Sequence, residues 1–120
     1  VKGPGERDPR EGEMPYLETE SGQRIRLDDF PECTLGRKDP ASGSFPEVDL
    51  GPYGALEAGV SRKHAKITRV GEGRYYIMDL MSTNSTAVNG EALEPFKPRL
   101  LEDGDEITLG LLRMVFRAGS

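Results

Sequence analysis

Three short polar clusters carry the side chains in this sequence that could do chemistry. The first is Gly36-Arg37, a guanidinium at the end of a β-type run, where the long loop Lys38 to Glu47 begins. The second is Ser61-Arg62-Lys63-His64, which leads into a run carrying Ala65 and Ile67. The third extends from Asp79 through Ser82-Thr83-Asn84-Ser85 to Asn89-Gly90. A hydroxyl, two cations and adjoining backbone N–H groups, as in the second cluster, suit a tetrahedral oxyanion. Ser, Thr and Asn in the third add donors and acceptors on a short reach. Each cluster also has a plainer reading. Arg37 alone is a solvated rim cation, His64 a buried imidazole bonded to loop backbone, and the third cluster a loop that satisfies its own backbone.

Covalent catalysis is a poor use of these groups. His64 is the only histidine, and Ser61, three residues away at a strand entry, has no acid to orient the pair, so a hydrolase built on them lacks its parts. No catalytic residue, metal ligand set or cofactor is expected: with one histidine and one cysteine, neither a cysteine metal site nor a disulfide framework can form within the chain. Cys33 reads as a small buried hydrophobe. The net charge of -5 argues against general nucleic-acid binding, because counterion release needs a broad basic footprint. A few loop cations could still hold one phosphate on an otherwise acidic surface. No apolar run approaches the length of a membrane span and no leader pattern precedes the first strand, so a cytoplasmic location is expected.

The elements that must position the clusters are β-strands. At 120 residues the chain is one domain, and 15 Gly and 9 Pro with no Trp describe short elements joined by many turns. Strands are expected at Tyr16 to Thr19, Arg24 to Leu27, Thr34 to Gly36, Val48 to Leu50, His64 to Val70, Arg74 to Leu80, Thr86 to Val88, Glu91 to Leu93, Arg99 to Leu101, Glu106 to Leu109 and Leu112 to Arg117. Turn residues at Glu20-Ser21-Gly22, Gly71-Glu72-Gly73, Asn89-Gly90 and Asp103-Gly104 each predict a hairpin. Alternation places Ala65, Ile67, Ile107, Leu109, Leu112, Met114 and Phe116 in a core. Residues 1–13, charged and without apolar periodicity, read as a disordered tail or linker, leaving a domain over 14–118. The missing initiator Met and the Arg117-Ala118-Gly119-Ser120 ending suggest a piece of a longer protein.

Taken in order, Gly36-Arg37, Ser61-Arg62-Lys63-His64, Ser82-Thr83-Asn84 and the run Leu101-Glu102-Asp103-Gly104-Asp105-Glu106-Ile107-Thr108-Leu109-Gly110 make the sequence resemble the forkhead-associated (FHA) domain family. The resemblance covers about Tyr16 to Arg117. It implies an all-β sandwich of two mainly antiparallel sheets with about eleven strands, whose loops at one end grip a phosphothreonine peptide without catalysis. Carried over by motif position, Arg37 would pair with the phosphate, Ser61 would donate its hydroxyl, Arg62 would add a second contact and Thr83 would donate from the third loop. Asn84 would bond the peptide backbone, while Gly36, His64 and Ser82 would support the site. The implied partner is a phosphothreonine-containing segment in a Ser/Thr kinase-linked pathway, a kinase or its substrate, with neither nucleic acid nor membrane involved. An interaction domain of the same fold without phosphate dependence is the alternative.

Two departures from the family pattern stand out. Ser85 occupies a position where the family commonly has Gly, and a non-glycine residue at positive φ costs roughly 1 to 2 kcal/mol, so the loop either bends differently or carries strain. The insert-like Lys38 to Glu47 stretch and the Gly51 to Gly59 segment flank the expected peptide path and should set preference around the phosphothreonine. Gly59 leaves no side chain there for reading a downstream residue.

Overall fold

The computed structural model describes residues 14–27, 31–71 and 73–119. The expected tail over 1–13 lies outside them. All eleven expected strands form, with ends that coincide or differ by at most two residues: β1 (Tyr16–Thr19), β2 (Arg24–Arg26), β3 (Glu32–Gly36), β4 (Val48–Asp49), β5 (Lys63–Val70), β6 (Arg74–Asp79), β7 (Thr86–Val88), β8 (Glu91–Ala92), β9 (Arg99–Leu101), β10 (Glu106–Leu109) and β11 (Leu112–Arg117). Two single-turn 3-10 segments, Pro40–Ser42 and Gly51–Tyr53, are the only helical elements among the described residues. Among the described residues no helix is long and apolar enough to cross a membrane.

The strands form two sheets, one in the order β2-β1-β11-β10-β7-β8 and the other β4-β3-β5-β6-β9. All pairs are antiparallel except β3 with β4. The alternating positions do face inward. Ala65, Ile67, Ile107, Leu109, Met114 and Phe116 are buried, and Leu112 packs half-buried against them. Tyr75 of one sheet meets Phe116 of the other with ring centroids 5.3 Å apart and planes tilted by 59°, a contact that ties the two layers. Cys33 is buried, and that burial, helped by the nearby Glu47 carboxylate, pushes its thiol to about 11.

Three of the four expected hairpins exist: β1 with β2, β5 with β6, and β7 with β8. The fourth expectation fails. Asp103-Gly104 does not join paired strands, because Leu101 pairs with Tyr75 in the five-stranded sheet while Ile107 pairs with Val88 and Met114 in the other. Turn residues signal a reversal but not the sheet that receives the chain. The remaining hairpin, β10 with β11, turns at Gly110-Leu111 with Leu109 opposite Leu112, and Gly110 takes the positive φ of 60° that the turn requires.

Antiparallel register brings the polar clusters to one rim. β3 ends at Gly36 opposite Lys63, the first residue of β5. Asp79, the last residue of β6, lies opposite Ala65 near the same end of β5. Thr86, the first residue of β7, lies opposite Leu109, so the β10–β11 turn reaches that rim too.

Candidate functional site

Gly36 sets the spacing of the first two clusters. A Cβ built there would sit 1.9 Å from the Arg62 carbonyl oxygen, so only glycine lets the end of β3 lie against the segment that enters β5. The next backbone N–H, that of Arg37, donates to that same carbonyl at 3.1 Å. The Arg37 side chain is half-buried and its Nε–H donates to the Val60 carbonyl at 2.6 Å. This anchors the guanidinium while its two terminal amino groups have no protein partner among the described residues. An arginine held this way presents a pre-set fork of donors.

His64 ties the second cluster to the third. Its ring is fully buried. Nδ1 accepts the Ser61 N–H at 2.9 Å and Nε2 lies 2.9 Å from the Ser85 carbonyl, which assigns the neutral tautomer with the proton on Nε2. Burial lowers the imidazole's pKa against the opposing pull of the Ser85 carbonyl and Asp79. Both ring nitrogens are committed to backbone, so the Ser61 hydroxyl has no base on it. Instead Ser61 Oγ accepts the Thr83 N–H at 3.2 Å, which leaves the hydroxyl hydrogen able to donate elsewhere.

The third loop is braced from below by Asp79, which is buried at the end of β6. Its carboxylate accepts from the Ser82 hydroxyl, from the Ser82 N–H at 3.2 Å and from the Thr86 hydroxyl at 2.7 Å. Burial works to raise its pKa, but the bonds from Ser82 and Thr86 and the nearby His64 outweigh it and hold the carboxyl below its ordinary value. Asn84 leans across to the second cluster, donating from Nδ2 to the Gly59 carbonyl at 2.9 Å. A Cβ at Gly59 would lie 2.6 Å from that Nδ2. Gly59 therefore makes room for the Asn84 amide rather than leaving an empty place for the ligand.

Ser85, flagged as a departure, does take φ 69°, so the loop carries the strain. Its carbonyl receives His64 Nε2–H and also the Gly110 N–H at 3.1 Å. Gly110 fits under the loops because it has no side chain: a Cβ there would meet the Ala58 carbonyl at 2.5 Å.

Arg37, Ser61, Arg62, Thr83 and Asn84 line a single groove, together with Leu56, Gly59 and Val60. Gly36, His64 and Ser82 are not among the residues that line it. Arg62 is exposed and touches the Asp39 carboxylate at 3.5 Å, and Asp39 is held below its ordinary pKa by the Ser42 hydroxyl first and by Arg62 after it. The sequence does not announce the parts that Val60 and Gly110 play, and it marks Asp79 and Gly59 only as members of a polar cluster and of a flanking loop. For Val60 the contribution is a backbone carbonyl, which no residue type announces. Asp79 had a signal, an acid closing a strand just ahead of Ser82 and Thr86. No group of His, Cys, Asp and Glu able to hold a metal occurs among the described residues.

A sandwich whose loops gather an arginine, a serine, a threonine and an asparagine at one rim has a known class. The FHA domain family model matches residues 33–110, and the chain belongs to that family. It is similar to an oxoglutarate dehydrogenase inhibitor of Corynebacterium efficiens, 38% identical over 82% of this chain and 59% of that protein. It is also similar to the glycogen accumulation regulator GarA of Mycolicibacterium smegmatis, 34% identical over 82% of this chain and 53% of that protein. The chain thus spans between half and three-fifths of these relatives. Among solved structures, one from a study of phosphothreonine-dependent FHA domain interactions is 29% identical and superposes with a TM-score of 0.67, covering 87% of this chain and 95% of that one. Mycobacterium tuberculosis EmbR, in complex with a low affinity phosphopeptide, is 27% identical with a TM-score of 0.71, covering 89% of this chain and 25% of that one.

Proposed function

We propose that this domain is a non-catalytic module that binds a phosphothreonine on a partner protein and so links that partner to Ser/Thr kinase signalling. The observation that carries the reading is the convergence of Arg37, Ser61, Arg62, Thr83 and Asn84 on one groove. A phosphate brings about -1.5 to -2 charges and three strong acceptor oxygens, and the groove offers the hydrogen-bond donors to meet them. In this reading the free terminal amino groups of Arg37 pair with the phosphate, the Ser61 and Thr83 hydroxyls donate to it, and Arg62 adds a peripheral charge. Asn84, already tied to Gly59, turns its remaining amide groups to the peptide backbone. Preference for threonine over serine rests on the extra methyl, worth roughly 0.8 kcal/mol if fully buried.

The relatives are named for inhibiting or regulating metabolism, which supports a regulatory role for the protein that carries this domain. Titration calorimetry with a phosphothreonine peptide tests the reading. Charge-assisted hydrogen bonds contribute roughly 1.5 to 3 kcal/mol each, so Arg37→Ala should weaken binding by about a hundredfold or more. Loss of the bond to Val60 should cost only about 1 kcal/mol of stability, a few degrees in melting temperature. Undiminished affinity in Arg37→Ala, or equal binding of the unphosphorylated peptide, overturns the assignment.

A further inference from the structure

Beyond the Ser61–Thr83 hydrogen bond lies a second groove, bounded by Ser44 and its neighbours in the β3–β4 loop, by Arg62 and Lys63, and by Met81. It shares Ser61, Arg62 and Thr83 with the first, so one extended segment can lie across both. Ser44 is only 5% exposed, and its Oγ is a buried side-chain oxygen with no hydrogen-bond partner among the described residues. The backbone around it is fixed, since the Ser44 N–H donates to the Asp39 carbonyl at 2.9 Å and the Asp39 N–H to the Ser44 carbonyl at 2.8 Å. Buried polar groups are ordinarily paired, and a hydroxyl on fixed backbone yet unpaired, at a residue that lines the groove, gains its partner when rotation about χ1 turns it to an acceptor lying there.

The charges around this hydroxyl are mostly positive. Lys63 is exposed and has no ion-pair partner among the described residues, and Arg62 has only the 3.5 Å contact with Asp39. No acid is among the residues that line the groove, and the Asp39 carboxylate next to it is already engaged by Ser42 and Arg62. Met81, 68% exposed, adds an apolar wall. A chain of net charge -5 thus keeps unmatched positive charge beside an unpaired donor.

We infer that this second groove binds a second anionic group on the same partner segment, the carboxylate of an Asp or Glu or a second phosphate, flanking the phosphothreonine. Lys63 and Arg62 supply the charge, and Ser44, turning about its χ1, donates its hydroxyl. This rests on the phosphothreonine reading of the first groove and deepens it by naming the class of partner sequence.

The test is calorimetric titration of the domain with phosphothreonine peptides on alanine flanks, into which Asp or phosphoserine is placed at successive positions on each side. At one or two positions the acidic residue should tighten binding about tenfold. Whichever of Asp and phosphoserine gives the larger gain identifies the source of the anion. Ser44→Ala and Lys63→Ala should each shrink that gain while binding the alanine-flanked peptide as wild type does, and Ser44→Ala should melt no lower than wild type. Equal affinity for acidic and alanine-flanked peptides at every position overturns the inference, as does a gain that survives in the Ser44→Ala/Lys63→Ala double variant. If alanine-flanked peptide binds through Arg37 and no gain appears, only the second groove falls. If no phosphothreonine peptide binds at all, the first groove's assignment falls and takes this one with it.

Discussion

The loop from Leu80 to Ser85 and the turn Asn89-Gly90 lie on either side of β7, and both hold non-glycine backbone in the left-handed region, by opposite means. In the turn, Asn89 takes φ 50° and Gly90 φ 84°, and these residue types accept that region at little cost. Asn89 also fastens itself, donating to Asp105 Oδ1 at 3.0 Å and accepting the Glu106 N–H at 2.9 Å. In the loop, Met81 at φ 63° and Ser85 at φ 69° have no such preference. Their shape is imposed from outside, by His64 and Gly110 on the Ser85 carbonyl and by Asp79 on Ser82. Where local residue types suffice, the turn only connects strands. Where the scaffold must hold the backbone, the loop that results lines the groove, in keeping with the clustering of strain at functional sites.

The strongest way to break this comparison is to remove the outside support. His64→Ala leaves the Ser61 N–H and the Ser85 carbonyl without their shared partner and opens a cavity in a fully buried position. A loss of about 3 to 5 kcal/mol of stability is expected, with phosphopeptide affinity falling along with it in the fraction that remains folded. Asn89→Ala, which deletes a self-supporting residue, should cost about 1 to 2 kcal/mol and leave affinity untouched. Chemical denaturation paired with calorimetry checks both. Comparable losses of affinity in the two variants would erase the distinction between imposed and self-made geometry.

Acid sharpens the comparison more gently. His64 is the only histidine, and burial lowers its folded pKa below the ordinary value near 6.5. The unfolded chain therefore takes up its proton first as pH falls, so the stability His64 contributes is fully present above about 6.5 and declines towards its folded pKa. The slope can reach at most about 1.4 kcal/mol per pH unit. Asp79, also depressed, behaves alike lower down, contributing above the ordinary carboxylate value near 3.9 and losing that contribution as pH drops through its folded pKa. Melting temperature followed from pH 7.5 to 5.5 should fall in wild type and stay nearly flat in His64→Ala. An equal slope in both would place the titration elsewhere.

Much of this was legible in the residues themselves. Every strand could be read from β-type runs between turn signals, because burial on one face forces the alternation seen at Leu112, Met114 and Phe116. Five groove-lining residues could be named because their order matched a family pattern, which ranks above what Ser61 or Thr83 would say alone. What could not be read was pairing between distant segments. Asp103-Gly104 looks like a hairpin turn, yet the partner of the following strand is chosen by the long-range pairing of Ile107 with Val88 within the six-stranded sheet. The Val60 carbonyl that anchors Arg37 and the unpaired Ser44 hydroxyl are likewise products of tertiary approach, invisible to spacing.

The smallest expected effect tests the strain itself. Ser85→Gly removes a Cβ from φ 69°, relieving about 1 to 2 kcal/mol, while the freer unfolded chain offsets about 0.4 to 1 kcal/mol of that. A net gain of about 0.8 kcal/mol follows, readable as a rise of a few degrees in melting temperature. Affinity should stay within about twofold of wild type, since His64 and Gly110 bond the carbonyl of residue 85 and not its side chain. A drop in stability would mean that the serine hydroxyl supports the loop in a way its geometry does not record. A drop in affinity at raised stability would instead make the strained backbone part of the binding machinery, with rigidity rather than residue type as the quantity the scaffold supplies.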